Sequence, residues 1–398
     1  MRRRIYSERD TRNSTAFRFN LRIRGLRLKT RLAEGKRWMA DLAGPEAPKL
    51  EPSEPNVHLW SRDGFLGVNA VALQPGYTPD YISVEGPHAP RRIELASLQT
   101  ADQDDADALP TLILTSRQGV KFSLSRRRAA MGFALKNVEC DELHFIQRGG
   151  ARFDTEFGSL DAGPGDFVCI PKGSAYRVTP KGGDLIDLIV ESPGALKFDT
   201  PAPFGMINFG QDVRRPRIEP PSGAPGAPGG EGRHILLLKA EDGITRFVKP
   251  VDPLAAIVQV GGEAPLWALN LAAIQQVSYG GLGGPPSHFL ASPDNIMLVF
   301  DLSARAARMR PPIHHNADYD EIILYVGGPG AYGACTVPGT LTIVPKGVTH
   351  HGPSEDVPEG YAAFLIETRA TLRFTDAALP SSRLMETGRY GVHPSEKG

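Results

Sequence analysis

Three residues in the last quarter of the chain, His315, Glu321 and His351, have types and spacing that predict a metal site. Two imidazoles and one carboxylate on one side of a metal leave its opposite face open, and this is the ligand set of non-haem Fe(II) oxygenases. The segment 311–321 supplies the first two ligands and the segment 347–353 supplies the third. The chemistry that these residues predict is the binding of a substrate and O2 at a ferrous ion.

The elements that must position these ligands are strands joined by a tight turn. After Gly339, five residues lead to Pro345, Gly347 and then His350, which reads Gly-x5-Pro-x-Gly-x2-His. The five-residue run suits a buried strand, and the proline and glycine suit the turn after it. This is the strand–turn–strand pattern of a cupin. Glu321 begins another β-run, and side chains on neighbouring strands of a small barrel can converge on one interior point.

An earlier copy of the pattern predicts a second barrel. The segment 165–176 matches the later motif at every spacing, with a tyrosine where the later motif has its histidine. Glu142 mirrors Glu321, but the position six residues earlier is Lys136 rather than histidine. The simplest interpretation is a metal-free N-terminal barrel beside a metal-bearing C-terminal one. Glu142 and His144 share a strand face and could still hold a metal, although they lack further partners at a convincing spacing.

Composition favours an all-β fold. The chain has 398 residues, of which 41% are apolar, enough to build proper cores. Its 43 glycines and 35 prolines fit many tight turns better than long helices. The predicted fold is therefore a bicupin, with two cupin (double-stranded β-helix, jelly-roll) barrels in one chain and the N-terminal barrel degenerate.

The cysteines and the hydropathy bear on the cellular compartment. Three scattered cysteines imply neither a disulfide framework nor a CxxC zinc site, which favours a reducing compartment and predicts a cytoplasmic protein. They are Cys140, Cys169 and Cys335. No run of eighteen apolar residues exists, so the sequence predicts no membrane span.

Charge is uneven although the net charge is zero. Residues 1–40 contain thirteen Lys or Arg against three acidic residues. A nucleic-acid-binding arm or a transit peptide would have this composition. No clear aromatic stacking platform accompanies the charge, so we favour a flexible tail or a start of translation at Met39, and we expect no nucleic-acid partner.

Five regions are predicted along the chain. They are a basic leader at 1–45, a degenerate cupin domain at 46–216, a Pro/Gly-rich linker or loop at 217–233, a metal-binding cupin domain at 234–376 and a C-terminal tail at 377–398. The linker assignment depends on a Pro- and Gly-rich stretch that cannot form a packed core.

The second half resembles the homogentisate 1,2-dioxygenase family of bicupin Fe(II) enzymes. The resemblance rests on Arg-Pro-Pro-x-x-His at 310–315, on Glu321 and on His-Gly-Pro at 351–353. Weaker likeness lies at 153–158, 265–271 and 294–300, so that about 135–374 is covered. Carried over by motif, the family's iron ligands are His315, Glu321 and His351.

Two adjacent histidine pairs leave a choice of ligand. The general cupin pattern places the last ligand at His350, whereas the His-Gly-Pro motif places it at His351. Neighbouring strand residues point opposite ways, so only one of them can bind. We select His351 because the longer match favours it. Between His314 and His315, the six-residue spacing to glutamate favours His315.

The resemblance implies a ring-cleaving dioxygenase that inserts both atoms of O2 into a hydroxylated aromatic, with Fe(II) as cofactor. It also implies a homo-oligomer, a trimer or a hexamer. The family's substrate-binding side chains are replaced here, at Gly283, Ile313, Gly330 and Pro345, so homogentisate itself is not the expected substrate. His288 is the candidate acid–base residue. Two alternatives stay open: a metal-dependent cupin isomerase or hydrolase without O2 chemistry, and a non-catalytic bicupin that binds a small molecule.

Overall fold

The computed structural model describes residues 57–64, 67–74, 79, 81–199, 206–217, 232–255, 261–275, 288–303, 313–327, 337–350 and 362–385. All of them belong to one compact unit, Asn56–Gly398, and the other unit is Met1–Pro55. The predicted basic leader, most of the predicted linker and the end of the predicted tail lie outside the described residues. Among the described residues, no helix is long and apolar enough to cross a membrane.

Strands dominate the described part of the chain. The first half contains β1 (Val57–Ser61), β2 (Asn69–Leu73), β3 (Arg91–Glu94), β4 (Thr111–Thr115), β5 (Lys121–Ser125), β6 (Ala134–Asn137), β7 (Asp141–Arg148), β8 (Ala151–Thr155), β9 (Gly158–Ala162), β10 (Asp166–Ile170), β11 (Ala175–Pro180), β12 (Ile186–Ser192) and β13 (Lys197–Phe198).

The second half contains β14 (His234–Ala240), β15 (Gly243–Lys249), β16 (Trp267–Asn270), β17 (His288–Ala291), β18 (Met297–Asp301), β19 (Ile313–Asn316), β20 (Asp320–Gly327), β21 (Thr340–Val344), β22 (Ala362–Thr368), β23 (Arg373–Phe374) and β24 (Arg383–Leu384). Helical structure in the described residues is short: the α-helix α1 (Phe209–Asp212) and the 3-10 turns Leu95–Ser97, Pro253–Ala255, Leu271–Ala273, Pro293–Asn295 and Leu379–Ser381.

The first barrel consists of two facing sheets. A seven-stranded sheet has the order β16-β10-β7-β12-β5-β4-β23, and a six-stranded sheet has the order β15-β14-β6-β11-β8-β9. Ile146 and Val168 of the seven-stranded sheet pack with Phe153 and Val178 of the six-stranded sheet in one buried core. The two faces enclose an apolar interior, as in a jelly roll.

The second barrel combines an eight-stranded sheet, β13-β17-β18-β22-β20-β21-β3-β24, with the three-stranded sheet β19-β1-β2. Its interior contains a smaller apolar core that includes Leu298, Phe300, Tyr319 and Leu365. The predicted all-β bicupin architecture is therefore confirmed.

The largest core lies between the barrels and follows from strand alternation. On β7, Leu143 and Phe145 point into this core, whereas Glu142, His144 and Ile146 point the other way, into the first barrel. The ring of Phe145 lies 4.8 Å from that of Phe167 and 4.6 Å from that of Phe364, which belongs to the second barrel. Apolar contact across two sheets thus joins the barrels.

The two copies of the motif have matching backbone geometry. Gly173 and Gly347, in the two Pro-x-Gly turns, have φ of +81° and +80°, and Gly165 and Gly339 both have φ of +84°. These positive φ values favour glycine, which explains its place in each motif.

The matching extends to side-chain hydrogen bonds. Asp141 accepts hydrogen bonds from the backbone amides of Lys172 and Leu196, both at 2.8 Å. In the second barrel, Asp320 accepts the equivalent hydrogen bonds from the backbone amides of Lys346 and Leu372, at 2.9 and 2.8 Å. An aspartate thus ties the start of the long strand to the following turn in each copy.

The sheets interleave across the predicted domain limits. From the second half, β14, β15 and β16 join sheets of the first barrel, with β14 parallel to β6 and β16 antiparallel to β10. From the first half, β3 pairs with β21, and β1 pairs with β19. The limits drawn at 217–233 stay a prediction, but hydrogen bonding does not follow them.

Candidate metal centre

Two imidazoles and a carboxylate meet inside the second barrel. His314, Glu321 and His350 each offer one ligand atom, and these atoms all lie within 4.8 Å of one another. His350 Nε2 is 2.9 Å from Glu321 Oε2, and His314 Nε2 is 3.5 Å from Glu321 Oε1. All three residues are buried. We name this group the His–Glu–His cluster.

Backbone pairing positions the cluster. His314 lies on β19, and its amide and carbonyl exchange hydrogen bonds of 2.7 and 2.8 Å with those of His350. Glu321 lies near the start of β20, whose side chains alternate between this interior and the core between the barrels. The turn through Gly347 returns the chain to the barrel, so that His350 points inward.

His350 is oriented by a backbone carbonyl. Its Nδ1 lies 2.9 Å from the carbonyl oxygen of Val348, a contact that requires a proton on Nδ1 and directs Nε2 toward Glu321. Metal-bound histidines are commonly held by such a hydrogen bond from their other ring nitrogen. This orientation therefore fits a metal ligand.

The carboxylate and the imidazoles shift each other's proton affinity. Burial lowers the pKa of His350, but the Glu321 carboxylate outweighs burial and raises that pKa above its ordinary value. Burial raises the pKa of Glu321, but the His350 and His314 rings outweigh it, so that this pKa lies well below its usual range. Glu321 is thus held as an anion, the form that binds a metal.

The structure places His315 away from the cluster that the sequence assigned it to. His315 Nδ1 is 2.7 Å from Nε2 of His58 on β1, and the two rings meet edge to face. Successive side chains of a strand leave on opposite faces, so when His314 faces Glu321, His315 cannot. Burial, followed by His58, lowers the pKa of His315.

Of the two candidates for the last ligand, His350 is in the cluster, and His351, which the sequence analysis selected, lies outside the described residues, so the choice of His351 stays a prediction. The general cupin spacing is the signal that indicated His350. Glu321 is the candidate ligand that the motif and the cluster share.

The first copy of the motif indicates which histidine of the pair 314–315 faces the barrel interior. Lys136 stands six residues before Glu142, as His315 stands six residues before Glu321. The Lys136 ammonium lies 3.4 Å from Glu156 on the outer side of the barrel. The preceding residue, Leu135, is buried in the first core. The lysine thus indicates that the position six residues before the glutamate, held by His315 in the second copy, faces outward. The residue before it, held by His314, faces inward.

His288, the candidate acid–base residue, begins β17 and is buried. Its Nε2 is 3.2 Å from Oδ2 of Asp199, a half-exposed carboxylate, and its ring contacts Phe300 edge to face. These contacts orient the imidazole at the edge of the second barrel. Its role in acid–base chemistry stays a prediction.

A second carboxylate inside the second barrel was missed by sequence reasoning. Glu367 lies on β22 directly opposite Glu321 in the strand register, and it is fully buried. Within the described part of the chain, no close hydrogen bond reaches either of its oxygens, although the side chain of Asn316 is near enough to lower its pKa. Burial, followed by the charge of Glu321, raises its pKa well above the ordinary value.

The first barrel contains the corresponding carboxylates together with a lysine. Glu142 and Glu191 are register partners on β7 and β12. The ammonium of Lys239, on β14, contacts both carboxylates, at 2.7 Å from Glu191 Oε1 and 3.5 Å from Glu142 Oε1. The side-chain amide of Asn137 donates to both carboxylates, at 2.9 and 3.1 Å. We name Glu142, Glu191 and Lys239 the lysine-bridged pair.

The His–Glu–His cluster fits a divalent transition-metal ion. Two imidazole nitrogens and a carboxylate suit such an ion, and their mutual approach within 4.8 Å leaves one shared point for it. Glu321 Oε1 is buried and lies 3.5 Å from His314 Nε2, so a carboxylate oxygen and an imidazole nitrogen lie close enough to share one ion. Glu142 and His144 do not form a comparable cluster, since His144 pairs with Asp187 at 2.8 Å and Glu142 faces Lys239.

No family model matches the chain, but several homogentisate 1,2-dioxygenases are similar to it in sequence. Homogentisate 1,2-dioxygenase from Bradyrhizobium diazoefficiens is 27% identical over 277 residues, which are 63% of this chain and 60% of that protein. The Nitrobacter hamburgensis homogentisate 1,2-dioxygenase is 26% identical over 275 residues, 62% of this chain and 59% of that protein. In the Rhodopseudomonas palustris protein of the same name, 54 residues are 48% identical, 13% of this chain and 12% of that protein.

Among solved structures, a variant of Bacillus subtilis oxalate decarboxylase covers 75% of this chain and 81% of its own, at 14% identity and a TM-score of 0.39. The chain matches at most about three fifths of the length of these curated relatives. In sequence, this chain is homogentisate dioxygenase-like, which confirms the resemblance that its motifs predict.

Proposed function

We propose that this protein is a ring-cleaving dioxygenase that opens a hydroxylated aromatic ring at Fe(II) held by His314, Glu321 and His350. The observation that carries the proposal is the convergence of two imidazoles and one carboxylate within 4.8 Å in a buried interior. The similarity to homogentisate 1,2-dioxygenases over more than half of the chain supports the reaction class.

The side chains of the cluster divide the work. Glu321, kept as an anion by the neighbouring rings, contributes negative charge, and the Val348 carbonyl holds His350 with its Nε2 toward Glu321. An Fe(II) ion held by these residues would supply Lewis acidity and a template for the phenolic oxygen and O2. Burial of the three side chains keeps bulk water away from their donor atoms.

The substrate class follows from the ligand set and from the replaced residues. A hydroxylated aromatic binds such an ion through its phenolic oxygen, and a neighbouring oxygen or nitrogen donor adds a second contact. Ile313 is half-buried at the start of β19, and Pro345 directly follows β21, so two replaced positions adjoin the strands of the cluster. We propose a substituted hydroquinone or related phenol other than homogentisate.

Assembly and compartment extend the same proposal. By resemblance, we propose a homo-oligomer, a trimer or a hexamer, that acts in the cytoplasm on a small molecule without nucleic-acid or membrane partners. Sedimentation of the purified protein would measure the oligomeric state directly.

The proposal is tested by oxygen consumption. The protein is reconstituted anaerobically with Fe(II), and an oxygen electrode then follows a panel of hydroquinones, aminophenols and other phenols. We expect O2 uptake with one class of phenol, and mass spectrometry of the product from isotopically labelled O2 should show both atoms incorporated. Loading with Zn²⁺ is the matched control and should abolish uptake.

Variants identify the residues responsible. Glu321→Ala should abolish uptake, whereas His315→Ala, which changes an imidazole next to the cluster, should retain it. Turnover by the Zn²⁺ form without O2 consumption would instead support an isomerase or hydrolase. Unchanged uptake in Glu321→Ala would rule out the proposed centre.

A further inference from the structure

The lysine-bridged pair shows how this fold brings two buried carboxylates to one cation. Glu142 and Glu191 face each other across adjacent strands, and one ammonium contacts both, at 3.5 and 2.7 Å. Both carboxylates are about 1–2% exposed. Buried anions need such a counter-charge because removing them from water is unfavourable.

The second barrel repeats the carboxylate pair without the lysine. Glu321 and Glu367 are register partners, as Glu142 and Glu191 are, and they also face the barrel interior. The strand position that corresponds to Lys239 is held by Ser61, because Lys239 pairs in register with Asn137 and Ser61 pairs in register with Asn316. The two oxygens of Glu367 are buried and receive no close hydrogen bond from the described residues, although the side chain of Asn316 is near enough to lower the pKa of Glu367. The lysine ammonium that the first barrel supplies from its own chain is thus missing from this pair.

We infer that Glu367 supplies a second carboxylate to the metal ion held by His314, Glu321 and His350. This inference rests on the proposed function, since it adds a residue to the same centre. The metal ion takes the role that the Lys239 ammonium has in the first barrel. A divalent ion between two carboxylates leaves no net charge in the barrel interior, which is the arrangement that low-dielectric surroundings favour.

A glycine makes room for this carboxylate. An added Cβ on Gly64 would lie 2.6 Å from Glu367 Oε2, and Gly64 has φ of +61°, so no other residue is tolerated there without strain. Glu367 is the register partner of Glu321 but is not among the residues whose ligand atoms lie within 4.8 Å of one another. The inference therefore requires that the Glu367 carboxyl turn from Gly64 toward Glu321 when a metal ion binds.

Metal affinity tests the inference without recourse to activity. Apoprotein is titrated with Co²⁺ or Mn²⁺ in competition with a chromophoric chelator, for the wild type and for Glu367→Gln. Glutamine has the size and the hydrogen-bonding capacity of the glutamate but no charge. We expect the Kd to rise at least about tenfold, the range in which loss of a residue supporting a metal site is felt.

The first barrel provides the matched control. Glu191→Gln makes the same change at the equivalent position, and it should leave the Kd of the second barrel within about twofold of the wild type. Glu367→Asp keeps the charge on a shorter side chain, so the metal affinity of this variant should fall between those of the wild type and Glu367→Gln. The aspartate variant replaces Glu367→Gln in the titration if the glutamine variant does not fold. The visible spectrum of bound Co²⁺ should also change in Glu367→Gln.

The outcomes separate the inference from the proposed function. If the wild type binds metal, His314→Ala does not, and both Glu367 variants bind as tightly as the wild type, the second carboxylate is excluded while the centre stands. If the wild type binds no metal, both the centre and the second carboxylate are overturned. A lower Tm in metal-free Glu367→Gln with an unchanged Kd would assign Glu367 a structural role only and would also overturn the inference.

Discussion

His314 and His315 are adjacent on one strand, yet their imidazoles have different partners on opposite faces of it. His314 Nε2 lies 3.5 Å from Glu321 inside the barrel, and His315 Nδ1 lies 2.7 Å from His58 on the other face. Strand geometry permits only one of two neighbours to point inward. Whether His314 or His315 faces Glu321 therefore depends on the strand register, and a shift of one residue would exchange the two.

Single substitutions should separate the two histidines by metal content. His314→Ala and His350→Ala each remove one of three donor atoms, so the Fe(II) bound after anaerobic reconstitution and desalting should fall to less than about a tenth of the wild-type amount. His315→Ala should retain close to the wild-type amount, because His315 does not face Glu321. Metal is measured by inductively coupled plasma mass spectrometry. Retention by His314→Ala with loss from His315→Ala would reverse the assignment.

The sequence allowed much of the fold to be predicted because the relevant signals are local. The Gly-x5-Pro-x-Gly spacing fixes a strand and its turn, and the positive φ of Gly173 and Gly347 is the physical reason for the glycine. Pairing between distant segments was not predictable in this way. No local pattern indicates that β14 runs parallel to β6, or that β3 pairs with β21.

The candidate site was predictable in type but not in register. Two histidines and a glutamate follow from the motif, whereas the inward-facing member of each histidine pair depends on how far the strand is offset. Glu367 was missed because the sequence shows only a glutamate in a strand. Its significance comes from the register with Glu321 and from its burial, which are properties of the folded chain.

Removing the ammonium from the lysine-bridged pair should destabilise the protein. Lys239→Met keeps most of the aliphatic stem and leaves Glu142 and Glu191 buried without a counter-charge. Breaking a buried ion pair from one side costs about 3–5 kcal/mol, so we expect the free energy of unfolding at pH 7 to fall by that amount. Urea denaturation followed by circular dichroism measures it.

The pH dependence of this loss has a definite sign. The pKa of Lys239 is raised from 10.5 by the two glutamates, against burial, so its contribution is present below pH 10.5 and is lost as pH rises through the higher folded-state value. The pKa of Glu142 is lowered from 4.5 by Lys239, against burial, so its contribution is present above pH 4.5 and is lost as pH falls through the lower value. The difference between variant and wild type should therefore be largest between these limits.

Two controls accompany the lysine variant. Lys249→Met, at an exposed position on β15, should change the stability by no more than about 0.5 kcal/mol. The triple variant Lys239→Met, Glu142→Gln, Glu191→Gln removes all three charges and should recover much of the loss. Equal effects of Lys239→Met and Lys249→Met would show that the ammonium does not support the fold.

A buried histidine in the first barrel should make stability depend on pH above about 6.5. His144 Nδ1 lies 2.8 Å from Asp187, and both side chains are 1% exposed. Burial lowers the pKa of His144, but the Asp187 carboxylate outweighs burial and raises it above 6.5. The stabilisation is therefore complete below pH 6.5 and is lost as pH rises through the higher folded-state pKa.

The measurement is a series of urea titrations from pH 6 to pH 9. In the wild type, His144 should contribute a decrease in unfolding free energy of at most about 1.4 kcal/mol per pH unit, the limit for the loss of one proton. His144→Gln should remove this contribution, while His88→Gln, at an exposed position, should preserve it. Identical pH profiles for wild type and His144→Gln would show that the imidazole stays neutral when folded.

The aromatic contact between the barrels should determine how they unfold. Phe145 is 1% exposed, and its ring packs against Phe167 of its own sheet and Phe364 of the other barrel. Phe145→Ala leaves a cavity in this core and should lower the free energy of unfolding by about 3–5 kcal/mol. Because the cavity touches both barrels, fluorescence and circular dichroism should still show one transition, at a lower urea concentration.

Ile82→Ala, at a residue that is 99% exposed, should change stability by less than about 0.5 kcal/mol. Two separate transitions in the wild type would show that the barrels unfold independently, and the shared core would then contribute little to their joint stability.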